Sequence, residues 1–322
     1  MKSGRLLKGY FYIDYKRLKA LMKECIHRKR ELETLPNVEA ATTIANSESA
    51  QHCIECERFF VKEVNRQISA VIGCFNLHAK NLLHHQISSD LRRYLWRARY
   101  LFADYQQRRI AQAQKLISYA ATNAKAINKL LVKYSKVHCS THTPHFKSRL
   151  HTEQLELLKS PWLIELCAFQ INCSQGKKYT SEAWEACTYS IEFTIAVAGP
   201  SINCKLLESA NLDFNLNCPI CLDTAFEPIA LGCGHIFCNS CACTSASVPT
   251  IAGVKAAKQK SMCPICRQMG VYANSVYLVQ SGLLLKKRCR EVWKERLPME
   301  RALRVKQAKE HWKEQSRLFL GV

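Results

Sequence analysis

Four pairs of metal ligands lie close together in the chain: CPIC at residues 218–221, CGH at 233–235, CNSC at 238–241 and CPIC at 263–266. A Cys-x2-Cys turn brings two sulfurs close enough to form one edge of a tetrahedron, so each such pair supplies half of a zinc site. Four half-sites predict two closed, structural zinc sites. This stretch decides the fold of its region.

Two other interpretations of the cysteines compete with this one. A disulfide framework is disfavoured, because no secretory segment opens the chain and the 18 cysteines are otherwise scattered. Two successive ribbon-like zinc fingers would use the same ligands with a different pairing. Cys243 is a leftover whose spacing suits neither half-site, and we expect it to be a small buried apolar residue.

The short Cys-x-His element followed at once by Cys-x2-Cys resembles the RING finger family. In that family, pairs one and three share one metal, and pairs two and four share the other. The resemblance implies a cross-brace with two structural zinc ions. The implied ligands of the first zinc are Cys218, Cys221, Cys238 and Cys241. Those of the second are Cys233, His235, Cys263 and Cys266. Closed sites leave no open coordination position for a substrate.

RING domains that act as ubiquitin ligases bind a ubiquitin-conjugating enzyme beside their zinc loops. The positions that match these contacts are Ile220 between the first two cysteines, Pro264 in the last pair, and Arg267 after the final ligand. A guanidinium with several fixed donors suits the bridging of ubiquitin and its carrier. A tryptophan that many relatives carry is absent from residues 242–262. Core packing for Ile220 and a solvated charge for Arg267 are the alternatives.

The amino-acid composition limits which kinds of structure and which compartments are expected for the remainder of the chain. Its 322 residues are 48% hydrophobic, which suits two or three globular segments. No apolar run approaches the roughly 18 residues of a membrane span. Free cysteines without a signal peptide favour a reducing compartment, the cytoplasm or the nucleus. Any association with the plasma membrane would be peripheral, through substrates.

The formal charge of +21 lies mainly at the two ends of the chain. Residues 1–145 hold 25 Lys and Arg against 11 Asp and Glu, and residues 273–322 hold 12 against 5. Apolar periodicity predicts helices over residues 15–32, 59–83 and 105–137, with a polar break at 36–49. On the third helix, Lys125, Lys129, Lys133 and Lys136 share a sector of roughly 80°.

A lysine stripe alone is most simply a solvated helix face. Together with the opening residues 1–7 and residues 15–19, however, the stripe resembles the SPX domain. This domain is a helical module that binds inositol polyphosphates and pyrophosphates. The resemblance implies a pocket formed by Tyr15, Lys19 and Lys133, with Lys129 and Lys136 widening the positive cluster. Converging ammonium groups and a phenol hydroxyl suit a compact, multiply charged phosphate ring.

An SPX-like region joined to a RING finger resembles the plant SPX–RING ubiquitin ligases that govern nitrogen limitation adaptation and phosphate uptake. The resemblance continues through residues 157–163, 232–247 and 319–322. It implies a RING-type E3 ubiquitin transferase whose partners are ubiquitin, a ubiquitin-conjugating enzyme, an inositol-phosphate ligand and, as substrates, plasma-membrane phosphate transporters. A homodimer is a further expectation.

The predicted fold is α+β and multidomain, with an SPX-like helical bundle, a two-zinc RING finger and a basic C-terminal helix. The predicted boundaries are 1–160, 161–213 for a linker with short strands, 214–272 and 273–322. The C-terminal pattern is helical over residues 283–319, starting or breaking near Pro298, and is expected to dock on the RING or to pair with another chain. Cys53-x2-Cys56 has zinc-like spacing, but no second pair lies nearby, so reduced thiols are favoured over a metal half-site.

Two other classes of function stay open on the sequence. A non-catalytic scaffold would use the SPX-like region to recruit a partner and the RING only to dimerise. Nucleic-acid binding through the basic ends predicts a steep dependence on salt. The lysines are not interleaved with base-stacking aromatics, so we expect no direct nucleic-acid partner.

Overall fold

The computed structural model describes residues 9–33, 42–84, 99–137, 157–174, 189–206 and 210–320. These residues form two compact units, which are described separately: Met1–His78 with Tyr119–Leu158, and Ala79–Ser118 with Lys159–Val322. In the described part of the chain, the architecture is mainly helical with two small sheets, together with a cysteine-rich finger. Within the described ranges, no helix has the length and apolar character needed to cross a bilayer. The four-part division of the chain stays a prediction.

The described residues of the first unit include three helices. They are α1 (Tyr15–Glu33), α2 (Thr42–His84) and α3 (Arg99–Val137), and the last two continue into the second unit. The predicted polar break at 36–49 is wrong in its second half, because α2 already begins at Thr42. The polar residues in this stretch lower helix propensity only modestly and therefore do not by themselves end a helix.

Helix α1 begins where its sequence supplies an N-cap. The Asp14 carboxylate accepts a hydrogen bond from the Arg17 N–H at 3.0 Å, which satisfies one of the free donors of the first turn. The buried Asn123 side chain accepts from the Ile13 N–H at 3.0 Å. Gln67 of α2 accepts from the Asp14 N–H at 2.9 Å. Amide side chains of α2 and α3 therefore fix the start of α1.

In its Lys159–Val322 segment, the second unit contains a helix that the sequence did not predict, α4 (Pro161–Ser174). A three-stranded antiparallel sheet follows, with β1 (Tyr189–Ala196), β2 (Gly199–Leu206) and β3 (Ala210–Asn215) in sequential order. Tyr189 pairs with Leu206, and Ser201 pairs with Asn215. The predicted linker strands therefore form a complete meander that leads into the finger.

The finger has its own small sheet. Its strands are β4 (Pro228–Ala230), β5 (Ile236–Cys238) and β6 (Val276–Tyr277), in the order β5-β4-β6, and helix α5 (Asn239–Ser245) follows β5. The core beneath this sheet contains Ile229, Leu231 and Phe237, all fully buried. Burial of such side chains contributes roughly 1.5–3 kcal/mol each.

Two helices end the chain, α6 (Val279–Arg288) and α7 (Arg290–Leu320). The predicted break near Pro298 is wrong, since the helices divide at Cys289 and α7 runs through Pro298. A proline interior to a helix removes one hydrogen bond. Contacts of α7 with the finger on both sides of Pro298 hold the helix together across that position.

Candidate functional site

Eight side chains of the finger form two compact groups of ligand atoms. Cys218 and Cys221 lie with Cys238 and Cys241. Cys233 and His235 lie with Cys263 and Cys266, and in each group all ligand atoms lie within 4.8 Å of one another. Pairs one and three therefore meet, as do pairs two and four. A succession of two ribbon fingers is excluded by this pairing, and the prediction of two zinc sites is confirmed.

The distances within the groups fit zinc. Cys221 Sγ and Cys238 Sγ lie 3.6 Å apart. His235 Nδ1 lies 3.3 Å from Cys233 Sγ and 3.7 Å from Cys263 Sγ. Zn–S bonds of about 2.3 Å place the sulfurs of a tetrahedral site about 3.8 Å apart, whereas a disulfide needs about 2 Å. One donor set is four thiolates and the other is three thiolates with one imidazole, and both sets are typical of structural zinc.

Strand β5 explains why consecutive ligand pairs serve different metals. His235 precedes the strand and Cys238 ends it, so the two residues are separated by about 10 Å of extended backbone. Cys241 follows in the first turn of α5 and stays beside Cys238. The hairpin between β4 and β5 instead holds Cys233 beside His235. A single short strand therefore produces the cross-brace.

The two Cys-Pro-Ile-Cys loops have the same backbone conformation. The Leu222 N–H donates to the Cys218 carbonyl at 2.8 Å, and the Arg267 N–H donates to the Cys263 carbonyl at 2.9 Å. Leu222 and Arg267 both lie in the left-handed region, with φ of 59° and 57°. Each loop is closed by an antiparallel bridge between its flanking residues. Equal sequences thus give equal half-sites.

His235 is held in the form that binds a metal. Burial lowers its pKa, and the positive charge of Lys159 lowers it further, which favours the neutral imidazole that binds a metal. Gly234 precedes it with φ of 84°, and a Cβ at this position would lie 3.0 Å from the Lys159 carbonyl oxygen. The glycine is needed both for the left-handed backbone and for this close approach.

The three residues predicted to contact a conjugating enzyme are exposed on the two zinc loops. Ile220 keeps 42% of its surface accessible, and Pro264 and Arg267 are also exposed. Four further apolar side chains on or beside the same loops were missed from the sequence. These are Leu222, Met262, Ile265 and Met269, exposed by 82%, 54%, 47% and 66%. Their positions in the sequence, next to the zinc ligands, could have indicated that they are exposed on the zinc loops.

Cys243 lies outside both ligand groups. Its side chain is fully buried, and its thiol lies 3.7 Å from the Asn239 amide oxygen. The expectation of a small buried residue is confirmed. The side chains of Cys53 and Cys56, by contrast, lie outside the described residues, so their interpretation as reduced thiols stays a prediction.

The C-terminal helix docks on the finger, as one of the two sequence alternatives predicted. The Trp293 and Phe226 rings lie with centroids 4.4 Å apart. Gln307 Oε1 accepts from the Thr250 hydroxyl at 2.8 Å. Between these contacts, Arg296 donates to two zinc-ligand sulfurs, which the sequence did not predict.

The first unit carries a separate cluster of lysines. Tyr15 and Lys19 are half-buried one turn apart on α1, and Lys133 is half-buried on α3, while Lys129 is exposed. Partial desolvation lowers the pKa of Lys133, and the facing ammonium groups of Lys19 and Lys23 lower it further. The structure therefore brings Lys19 and Lys133 together. The side chain of Lys136 lies outside the described residues.

Lys23 was missed in the sequence analysis. It lies one helical turn after Lys19 on α1, and it acts electrostatically on Lys133. Its spacing of four residues from Lys19 was the signal that could have found it. The buried side of α3 is as predicted, with Ile127, Leu130 and Tyr134 all buried.

The finger and its paired clusters define a class of protein. The RING-type zinc-finger family matches residues 218–264, and the two groups of four ligands agree with it. The protein is thus of the RING zinc-finger class. No solved structure matches the chain.

Comparison with relatives that match nearly the whole length of this chain identifies a family within the RING zinc-finger class. A probable E3 ubiquitin-protein ligase BAH1-like 1 of Oryza sativa subsp. indica is 38% identical over 318 residues, 97% of this chain and 93% of that protein. A BAH1-like protein of Arabidopsis thaliana is 39% identical over 96% of this chain and 93% of its own. E3 ubiquitin-protein ligase NLA of Arabidopsis thaliana is 36% identical over the same shares. The chain belongs to this plant family of BAH1-like and NLA E3 ubiquitin-protein ligases.

Proposed function

We propose that the finger holds a ubiquitin-charged conjugating enzyme and positions its thioester for attack by a substrate lysine. The observation that carries this proposal is the exposure of Ile220, Pro264 and Arg267 on two closed zinc loops. The apolar side chains offer area for a partner protein, and Arg267 offers a fork of fixed donors. Catalysis then rests on orientation.

The zinc clusters serve this function as a platform. Each holds four protein ligands, so neither metal has a free position to polarise a substrate. The catalytic cysteine belongs to the conjugating enzyme. Zinc, when bound, supplies the rigidity that fixes the two loops, and the chain's own residues supply the contacts.

Reconstituted ubiquitin transfer with a panel of conjugating enzymes tests this function. We expect I220A and R267A each to reduce chain formation by ten-fold or more. The matched control is I251A, since Ile251 is 45% exposed on the same finger but lies outside the zinc loops. Parental rates in I220A and R267A would instead favour the scaffold alternative, in which the RING serves only in protein association.

A second element of the proposal is an inositol polyphosphate or pyrophosphate site on the first unit. We assign to it Tyr15, Lys19, Lys129, Lys133 and Lys136, and we add Lys23 because its ammonium group acts on Lys133. The support is the cluster of ammonium groups around Lys133, whose mutual repulsion is relieved by an anion. Several phosphates on one ring suit such a cluster better than a single carboxylate does.

Titration calorimetry with inositol hexakisphosphate tests this site. We expect K133A, K23A and the K133A/Y15F pair to weaken binding by about ten-fold or more, and binding to fall with salt. The matched control is K125A, because Lys125 is exposed on the same helix about 12 Å from Lys133. Unchanged affinity in the K133A/Y15F pair would defeat the assignment.

The resemblance to the SPX–RING ligases carries the third element, a role in phosphate homeostasis. The substrates would be phosphate transporters of the plasma membrane, and the protein would meet the membrane through them. Ubiquitin transfer to a phosphate transporter in proteoliposomes, with and without the inositol ligand, tests this element. A transporter left unmodified by an otherwise active ligase would reject it.

A further inference from the structure

Arg296 of α7 reaches into the ligands of the first zinc site. Its Nη1 lies 3.6 Å from Cys221 Sγ, and its Nη2 lies 3.4 Å from Cys238 Sγ. The side chain is only 12% exposed. It is therefore a largely buried cation in contact with two of the four sulfurs.

The same guanidinium also holds the segment that follows Cys221. Nη1 donates to the Thr224 carbonyl at 2.8 Å and to the Asp223 carboxylate at 3.3 Å. Nη2 donates to Glu300 Oε1 at 2.7 Å, one turn further along α7. Glu300 is itself buried, so it fixes the direction of the Arg296 side chain.

Charge balance explains why a cation lies there. Four thiolates and one Zn²⁺ carry a net charge of −2, and Glu300 adds a further buried negative charge. Burying negative charge without a partner is costly. N–H groups directed at the sulfurs stabilise the thiolate form, which is the form that binds zinc.

We propose that Arg296 is a positioning residue of the first zinc centre, so that retention of this zinc depends on the C-terminal helix. The guanidinium joins two ligand sulfurs, the 222–224 segment and α7 in one network. Because that segment follows Ile220, Arg296 also fixes the surface offered to a conjugating enzyme. This last consequence rests on the proposed function, whereas the dependence of zinc retention does not.

Arginine is suited to this place and lysine is not. The contacts of Arg296 come from two different nitrogens that point to separate partners. A guanidinium presents such donors in a fixed plane, whereas an ammonium is a single point charge. R296K keeps the charge and the apolar stem but loses the simultaneous contact with sulfur and with the Thr224 carbonyl. The R296K variant therefore distinguishes the effect of donor geometry from the effect of the positive charge.

Zinc release from the full-length protein tests the proposal. A chromogenic chelator in excess follows the loss of two zinc ions, and we expect R296A to release one of them about 10- to 100-fold faster than the parent. R296K should lie between the two proteins. The other zinc should leave at the parental rate, which also reports that the variant is folded. R301A is the matched control, since Arg301 is exposed on the same helix.

Parental release of both ions from R296A, or from folded R296K if R296A does not fold, would overturn the proposal. Ubiquitin transfer is measured in parallel with zinc release. A parent without ligase activity would reject the proposed function and leave the zinc result intact. Loss of transfer in R296K with parental zinc release would overturn the metal-positioning role alone.

Discussion

The Trp293 indole lies on the Phe226 ring at a centroid distance of 4.4 Å and an interplanar angle of 30°. Trp293 belongs to the last helix, whereas Phe226 is buried in the finger between the first two ligand pairs. The Phe226 N–H donates to Cys238 Sγ at 3.2 Å. One aromatic pair thus connects the C-terminal helix to a zinc ligand.

Replacement of Trp293 should therefore loosen the finger. We expect W293A to lower the free energy of unfolding by about 2 kcal/mol, because a half-buried indole and its aromatic contact are lost. Chemical denaturation of the zinc-loaded protein measures this. W312A is the control, since Trp312 on the same helix is 61% exposed, and its effect should stay within about 0.5 kcal/mol. Equal effects would show that α7 does not brace the finger.

Gly234 is the position where an added methyl group should damage the second zinc site. G234A combines a left-handed backbone with a Cβ 3.0 Å from the Lys159 carbonyl. We expect about 1–3 kcal/mol of destabilisation and faster loss of one zinc ion. Gly253 has φ of 76°, but its nearest neighbour is the Tyr277 hydroxyl at 3.6 Å. If G253A destabilised the protein as much as G234A, the close approach to Lys159 would not contribute to the effect of G234A.

Asn123 should position the start of α1. N123A leaves the buried Ile13 N–H without its acceptor, which costs about 1–3 kcal/mol. Because Tyr15 follows directly, the variant should also weaken binding of inositol hexakisphosphate. N128A makes the same change at an exposed site of α3 and should leave both properties unchanged. Thermal unfolding and calorimetry provide the two measurements, and a stable N123A would contradict the cap.

Glu165 should make stability depend on pH. Its carboxylate accepts from the Gln280 N–H at 2.7 Å and from the Ser281 N–H at 2.9 Å, at the first turn of α6. Burial raises the pKa of Glu165 to about 7, although these hydrogen bonds act in the opposite direction. A carboxyl whose pKa is raised on folding stabilises most below its unfolded pKa and loses this contribution as pH rises through about 7.

E165Q provides the comparison, because its amide does not titrate. We expect the free energy of unfolding of the parent minus that of E165Q to fall by about 2–3 kcal/mol between pH 5 and pH 8. Loss of zinc in acid affects both proteins and cancels in the difference. A difference that does not change over this range would show that Glu165 keeps one protonation state.

The zinc sites could be predicted because ligand spacing is a local property of the sequence. A Cys-x2-Cys turn brings its sulfurs together whatever surrounds it, and the remaining question was only which pairs meet. Helix α4 could not be found in the same way. Its sequence PWLIELCAFQINCS is apolar on nearly every side, so it has no helical period to detect.

The docking of α7 shows a different limit of sequence reasoning. The residues that face the finger include Arg296, Arg304 and Gln307, which recur at helical spacing but are polar. Periodicity of apolar residues therefore could not show which face docks. Lys23 was not predicted as part of the lysine cluster for a related reason, because its role depends on Lys133, which is distant in sequence.

The two Cys-Pro-Ile-Cys loops differ at the residue that follows each of them, Leu222 in one and Arg267 in the other. A duplicated backbone with identical side chains would give the finger two interchangeable ends. Here the equivalent point of the repeat holds an apolar side chain on one loop and a cation on the other. If the finger binds a conjugating enzyme as proposed, these two unlike side chains distinguish the two directions in which the partner could lie across it, whereas the repeated backbone itself carries no direction.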